Sequence, residues 1–503
     1  MSWLAAEFAP VIVASVLSAI AWMYGGIRGD VLAVAAPWLC ALLLETLFFF
    51  PQRRFDETSH TARTRVWHDL KRDPLAWTCL ALFVLLLIPF VNDGLCPVCD
   101  AKAIATGLPA APPVPFIPFC VDRIDHLNVV LWFALALPAL LAVKHALTRQ
   151  GKRLMLEIVV WNGVALAALG FAQNALGAPG PLWSAEAGAA GYSFSTFGYP
   201  NMAGDYFTTL FGISLALWRR RVEDLRSTHE AMDISSSAPP RPRQFWRKNH
   251  FLIPAAVFFF AAVSTLSRAA IILVTASAAV FFLHTFISFV AHKRKADRVR
   301  AGVWTALALG VTVFFAVTFA PDDVEHEVGT LGTTEVLDRV TGKGQYHVHV
   351  ATEIWKDYPA FGCGGWGYIH FCLPKMTPEE LKQIQTVGGI NVHNDHLQFL
   401  AEHGVVGYGT MVAIVVLLLA PVGRTWRRLS REARFMKGRD APPRPVQLFA
   451  LPAPAFFVLV TAACTFVHAF GDCPMRSPAV LALFFASLAA VPGFLPSRDG
   501  ETD

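Results

Sequence analysis

Apolar residues in this chain fall into long unbroken blocks, each closed by a short charged or Gly- and Pro-bearing stretch. About twelve blocks stand out, at roughly 3–24, 31–50, 75–91, 127–146, 154–173, 202–218, 251–267, 269–290, 302–320, 396–420, 447–470 and 477–495. Each approaches the ~20 residues that carry a helix across a hydrocarbon core. A helix also satisfies its own backbone in lipid. The alternation of a transmembrane strand is absent, which argues against a β-barrel. The pattern predicts an all-α polytopic membrane protein with about twelve transmembrane helices. The first block lacks a basic leading region and a small-residue cleavage site, so it reads as a retained helix and not a signal peptide.

Composition agrees. Hydrophobic residues make up 54% of the 503, and charged residues only 16%, where a soluble domain carries roughly 25%. Mean hydropathy is +0.46. A disordered chain, a coiled coil and a nucleic-acid-binding domain are excluded, and an ordinary soluble enzyme is disfavoured. The formal net charge of +5 comes from a few basic loops and implies no polyanionic partner, hence no nucleic acid.

Those loops set the orientation. Loop 51–74 holds Arg53, Arg54, Arg63, Arg65, Lys71 and Arg72. Loop 218–250 opens on Arg219, Arg220 and Arg221, and loop 421–446 includes Arg427, Arg428 and Arg431. Basic loops stay in the cytoplasm, so both termini are expected there. The expected organisation is helices one to nine over 1–320, an outer loop domain over 321–395, and helices ten to twelve over 396–503. Segment 92–126 is a second outer loop, whose prolines at 109–118 argue against a regular element. Residues 231–245 read as a cytoplasmic linker, and no repeat of fixed period is evident.

Cys40, Cys79 and Cys464 fall in the expected helices. Cys96, Cys99, Cys120, Cys363, Cys372 and Cys473 fall outside the membrane. An even number on an oxidising face points to disulfides, although sequence does not choose the pairing. Cys363 with Cys372 is the expected pair, since the Gly-rich stretch between them can close a small loop. Cys96 and Cys99 have a spacing that also suits redox chemistry or zinc, but no second pair or flanking His completes a zinc set.

An outward-facing enzyme has no ATP and must use a donor activated beforehand, for which a lipid-linked diphosphate is the natural form. Such a site needs a cation for the diphosphate, a task that suits the planar fork of Arg. It also needs a base near neutral pKa, which suits His. Arg268 sits in the short turn STLSRAAIIL between two expected spans. An Arg at bilayer depth costs roughly 2.5–3.5 kcal/mol and usually faces a cavity or a partner. The plainer reading is an interfacial Arg that snorkels to water.

The second feature is NVHNDHLQFLAEHGVVGYG, residues 391–409. If helical from about 393, it aligns His393, His396, Leu397, Leu400, Gly404 and Gly407 on one face, with Asp395 and Glu402 opposite. Read plainly, this is a polar helix start followed by packing glycines. A competing use is a metal site, since His347 and His349 are two apart and would share one side of a strand. No zinc-type spacing completes that reading, so no metal and no cofactor is expected.

The stretch HNDHLQFLAEHGVVG resembles the signature that closes the large periplasmic loop in the O-antigen ligase and O-antigen polymerase superfamily. That signature is a His followed by Asn, Ser or Gln, nine residues, then Gly-x-x-Gly; here His393, Asn394, Gly404 and Gly407. IWKDYPAFGCGGWGYI (354–369), STFGYPNMAGDYF (195–207) and STLSRAA (264–270) are similar to three further family segments, in the same order. The family's Leu four residues after the Arg is Ile272 here, and Tyr346 to His349 stand where a family Arg is common.

The resemblance implies a GT-C-like glycosyltransferase that is metal-independent and inverting. Its donor would be a glycan on undecaprenyl diphosphate, and its acceptor a sugar hydroxyl on lipid A-core or on another glycan. The active site would face the periplasm. Carried over, His393 is the catalytic base, Arg268 and Arg339 bind the diphosphate, Asn394 and Asn201 bind sugar hydroxyls, and His349 is a further substrate contact. Ligase and polymerase share the motif, and a protein acceptor is a third possibility within the class. A transporter would instead predict charged or helix-breaking residues in mid-span. Glu45 and Glu157 lie near helix ends and do not form such a set.

Overall fold

The structure is a computed structural model, and it describes residues 8–54, 57–92, 114, 116–184, 193–231, 242–292, 346–377, 391–435 and 451–496. Among these residues the fold is helical, with only an isolated bridge between Phe194 and Phe197 outside that class. Among the described residues six helices are long and apolar enough to cross a membrane: Gly29–Phe48, Pro74–Val91, Arg123–Ala146, Arg149–Ala175, Arg268–Ile287 and Asp395–Glu432. Shorter apolar helices occupy Ala9–Trp22, Leu252–Ser264, Ala453–His468 and Pro478–Phe494. The chain thus has the character of a multi-pass membrane protein. The apolar block expected at 302–320 lies outside the described residues. So do Cys96, Cys99, and the parts of the expected loop domain at 321–345 and 378–390.

Helix Pro200–Ala231 is the hub. It packs against Ala453–His468 and Leu252–Ser264, and also touches Arg149–Ala175, Arg268–His292 and Pro478–Ala490. Residues 202–217 of this helix are buried throughout. Its buried face is not purely apolar. Asp205 accepts from Thr465 Oγ1 at 2.8 Å and faces His468 Nδ1 at 3.1 Å, and Thr209 meets Thr465 at 3.2 Å. Interior polar groups of this kind must find one another, because lipid offers no partner. Small residues let the backbones approach: a Cβ on Gly212 would reach to within 1.9 Å of Thr461, and one on Gly204 to within 2.3 Å of Ala270.

The outer helices carry apolar side chains outward. Val34, Trp38 and Leu42 are exposed on Gly29–Phe48, and Val405, Val412 and Val416 on the helix that begins at Asp395. Such stripes are unfavourable in water and suit contact with lipid.

A second, separate core forms outside the main bundle. It joins Val350, Ala351, Ile354, Cys363, Tyr368, Phe371, Cys372 and Val392 to Phe119 and Val121 from the preceding outer segment and to Ala401. Here the structure corrects two expectations. Residues 346–357 form a helix, not a strand, so positions two apart point in different directions. His347 is buried and His349 exposed, and they cannot act as a same-side pair. Cys363 and Cys372 are also free thiols, like Cys473. The intervening glycines do not close a loop between the two sulfurs. They form a turn that docks on a neighbouring helix, while the Cys372 thiol points back to its own Ile369 carbonyl at 3.5 Å.

Candidate functional site

The site is built where the segment around His393, the turn 469–477 and the start of helix Pro200–Ala231 meet. Asn394 begins the local order. Its Oδ1 accepts from Leu397 N–H at 2.9 Å, and its carbonyl accepts from Gln398 N–H at 2.9 Å, so it caps helix Asp395–Phe435. Asp395 follows in the first turn, where a negative charge suits the helix dipole. Its N–H donates to the carbonyls of Ala469 and Asp472, and its Oδ2 accepts from Met475 N–H at 2.7 Å. The turn 469–477 is thereby tied to the helix start.

His393 stands just before this cap, at φ 51°. It is not on the helical stripe drawn from the sequence, because Asn394 and not His393 opens the helix. A left-handed backbone is uncommon for a residue with a side chain, and such strain gathers at functional positions. The side chain is 40% exposed, and its Nδ1 lies 3.4 Å from Asp472 Oδ1. His347 stands beside it, ring centroids 6.1 Å apart, and itself bonds the Tyr368 hydroxyl at 3.1 Å.

Asp472 is the buried centre of the cluster. Its Oδ1 accepts from Cys473 N–H at 2.7 Å. The Tyr199 hydroxyl donates to both carboxylate oxygens at 3.0 and 3.2 Å, and Asn201 Nδ2 donates to Oδ2 and to the Tyr199 oxygen. Burial pushes the Asp472 carboxyl up. The His393 hydrogen bond, the charges of His393 and His468, and the Cys473 N–H outweigh it and hold the group at about 2. Burial and the adjacent carboxylate push the Tyr199 phenol well above its usual range, so it remains a donor. An ionised carboxylate can only accept, so His393 donates from Nδ1, and in the neutral ring the lone pair lies on Nε2. A carboxylate that fixes the imidazole tautomer is the arrangement that readies His as a general base.

The first glycine of the motif breaks the helix. At Gly404, φ is 62° and ψ −173°, and the helix breaks there. The break is filled by the Gly-rich turn. Cys363 and Gly364 donate to the carbonyls of Ala401 and Glu402, while Val405 and Val406 donate to those of Pro359 and Ala360. A Cβ on Gly404 would lie 2.2 Å from the Ala360 oxygen, and one on Gly362 2.2 Å from the Glu402 carbonyl carbon. The sequence reading of an uninterrupted helix with packing glycines is therefore corrected. Only a residue without a side chain fits both the backbone angle and the approach.

Arg476 holds the other side. It is buried, donates to Glu402 at 2.9 Å, lies 3.7 Å from Asp395 and stacks over Trp366 at 4.4 Å. Asp395 and Glu402 were set apart from the His face in the sequence, and their partner is this arginine. Arg268 opens helix Arg268–His292, after a turn in which Leu266 takes φ 59° and Ser267 Oγ accepts from Ala270 N–H. That turn packs on Gly204 through Thr265, Ser267 and Ala270. Gly204 is three residues from Asn201, or ~4.5 Å along the helix, so the Arg268 turn reaches the same end of the hub helix as Asp472. Asn201 and Asn394 both spend side-chain atoms on protein partners. His349 is exposed on the far side of its helix, and Arg339 lies outside the described residues. Asp472 and Tyr199 were not singled out from sequence. The available signal was an acidic residue in a very short turn between two apolar blocks, GDCP.

His393, Asp472 and Cys473 also place one potential metal ligand each within 4.8 Å of one another. The donor chemistry fits a metal poorly. The Cys473 thiol donates to Asp472 at 3.4 Å, and burial pushes it well above its usual range, whereas a metal takes the thiolate. Apart from His393 and the thiol, Asp472 already accepts from Cys473 N–H, the Tyr199 hydroxyl and Asn201 Nδ2.

Residues 253–412 match the family model described as O-Antigen ligase. That match spans Arg268, the Gly-rich turn, His393 and both motif glycines, and it supports the O-antigen ligase and polymerase superfamily for this chain. Asp472, Tyr199 and Asn201 fall outside the matched stretch. No curated protein matches the sequence.

Proposed function

With that superfamily as the premise, we propose that the protein transfers a glycan from undecaprenyl diphosphate to an acceptor sugar hydroxyl, as an O-antigen ligase does. The family carries the coarser statement of a ligase- or polymerase-like glycosyltransferase in a membrane. The observation that supports the finer one is the His393–Asp472 pair. In this reading His393 Nε2 takes the proton of the acceptor hydroxyl as its oxygen bonds to the anomeric carbon. The bond from that carbon to the diphosphate oxygen breaks, and the diphosphate leaves with the electron pair. Arg268 and Arg339 neutralise the developing charge. One displacement inverts the anomeric centre, and no step calls for a metal. Asn201, Asn394 and His349 are proposed to contact sugar. The site would face the periplasm, with residues 321–395 as its outer domain, both termini in the cytoplasm and lipid A-core as the acceptor.

The same pair would serve a polymerase that extends one glycan with another, or a transferase acting on protein. Products separate these. Cells lacking the protein are complemented with wild type or His393→Ala, and their lipid-linked glycans are sized. Long unattached polymer that only wild type clears supports the ligase. Single repeat units support the polymerase. An unchanged profile removes the glycosyltransferase reading.

A further inference from the structure

Beside the Arg476 cluster lies a cavity of about 210 Å³, walled by helices Arg123–Leu141, Asp395–Phe435, Ala453–His468 and Pro478–Ala490. Most of the wall is apolar, with Phe133, Val412, Val416, Phe466 and Phe484 among its residues. Glu402 and Val416 both line it, and the helix between them runs roughly 20 Å. The cavity therefore follows the span. Val412 and Val416 are also exposed on the face that suits lipid, so the cavity opens sideways toward the bilayer.

One end of the cavity is polar. Arg476, Asp395, Glu402 and Trp132 reach the wall there. Trp132 meets Trp366 edge-on at 5.8 Å, and Arg476 stacks over the same Trp366, so the two donors gather at one place. Arg476 and Trp132 are each 6% exposed. Among the described residues, neither Arg476 Nη1 nor Trp132 Nε1 has a hydrogen-bond acceptor. A buried donor left unpaired is costly, and two on one wall call for an acceptor inside the cavity. The charges narrow its chemistry. Arg476 already donates to Glu402 at 2.9 Å and lies 3.7 Å from Asp395. A phosphate placed here would face both carboxylates in an apolar surrounding, where like charges repel strongly. A cation has no place either, since the groups awaiting a partner are donors. The group that fits is a neutral carbonyl on an apolar chain.

We infer that this cavity holds one acyl chain of a glycerophospholipid, whose ester carbonyl accepts from Arg476 and Trp132. The depth agrees. Arg476 lies in the turn between two apolar helices, hence near the end of a span, and the esters of a glycerophospholipid lie just inside the headgroup region. A polyprenyl chain fits less well. It carries no carbonyl, and a diphosphate at its head would be drawn against Asp395 and Glu402.

The test is native mass spectrometry of the purified full chain. The protein is first released directly from membranes, then washed free of lipid in neutral detergent. The washed protein is titrated with dioleoyl phosphatidylethanolamine or with its dialkyl-ether analogue, which lacks the ester carbonyls. Wild type is compared with Val415→Trp, which fills the cavity, with Trp132→Phe, which removes one donor, and with Val34→Trp, a control on an exposed position of another helix. Wild type and the control should bind one copy saturably, the ester form ~3-fold or more tighter than the ether. Val415→Trp should lose that copy, and Trp132→Phe should lose much of the ester preference. If Val415→Trp does not fold, the ester and ether titrations of wild type and Trp132→Phe decide the matter. No saturable copy in wild type, equal affinity for the two lipids, an undiminished preference in Trp132→Phe, or full binding by a folded Val415→Trp overturns the inference. So does a polyprenyl diphosphate as the tightly held lipid in the first release. None of these readings depends on glycan transfer.

Discussion

Asp472 accepts a hydrogen bond from His393 Nδ1 at 3.4 Å, although 79 residues of chain separate them. One sits before the cap of helix Asp395–Phe435, the other in the short turn after helix Ala453–His468. The backbone bonds from Asp395 to that turn bring them together. A base and the group that orients it are thus delivered by separate elements and fixed by main chain, not by side-chain packing alone.

Replacing His393 by Ala should lower transfer by roughly 10²–10⁴-fold, the usual contribution of a general base. Folded protein should persist, because the side chain is 40% exposed. Arg268→Ala should show a comparable loss. Turnover of a purified lipid-linked donor measures both, and normal transfer by both variants would remove the assignment.

Asp472→Asn keeps the shape but removes the acceptor charge. The His393 tautomer is then no longer set, and transfer should fall by roughly 10² or more, while KM changes little. A kcat equal to wild type would show that the pair is only structural.

The same carboxylate predicts a pH dependence of stability. Asp472 is held at about 2, below the ~3.9 of an unfolded Asp. Its stabilisation is complete above pH ~4 and is lost as pH falls toward 2. It amounts to about 2 kcal/mol. Wild type should therefore unfold at a higher temperature than Asp472→Asn at pH 7, and the gap should close near pH 2. A gap that stays constant would contradict the account.

Gly404→Ala should destabilise the protein by at least ~1 kcal/mol, since φ is 62° and the added Cβ meets the Ala360 oxygen. Gly409→Ala, with nothing within 4 Å of its Cβ, should be neutral or slightly stabilising. Thermal unfolding of the two variants side by side checks the contrast.

Chelation should leave the reaction untouched. Transfer measured after dialysis against a strong chelator should match the untreated protein, and activity restored only by added zinc would reassign His393, Asp472 and Cys473 as ligands.

The helical class was legible because lipid imposes a simple rule, and among the described residues the apolar runs return as helices, six of them long enough to span. The choice of His393 was legible because the motif is local. The left-handed turn at His393 was not, since the helix start is tied to the Ala469 and Asp472 carbonyls, far along the chain. Gly404 was misread because a glycine in an apolar helix looks like a packing position, and only the incoming turn at 359–364 shows a break. Asp472 and Arg476 were given no role because their partners lie from 74 to 273 residues away. Cys363 and Cys372 invited a pairing that spacing permits and the local turn does not make.

The break at Gly404 has an evolutionary consequence. Four main-chain hydrogen bonds fasten the 359–364 turn to it, and such bonds are blind to the side chains around them. Outside the glycines and the buried Cys363, the turn can exchange its residues without shifting His393. Relatives facing different sugars could diversify this rim while inheriting the same aim of the base.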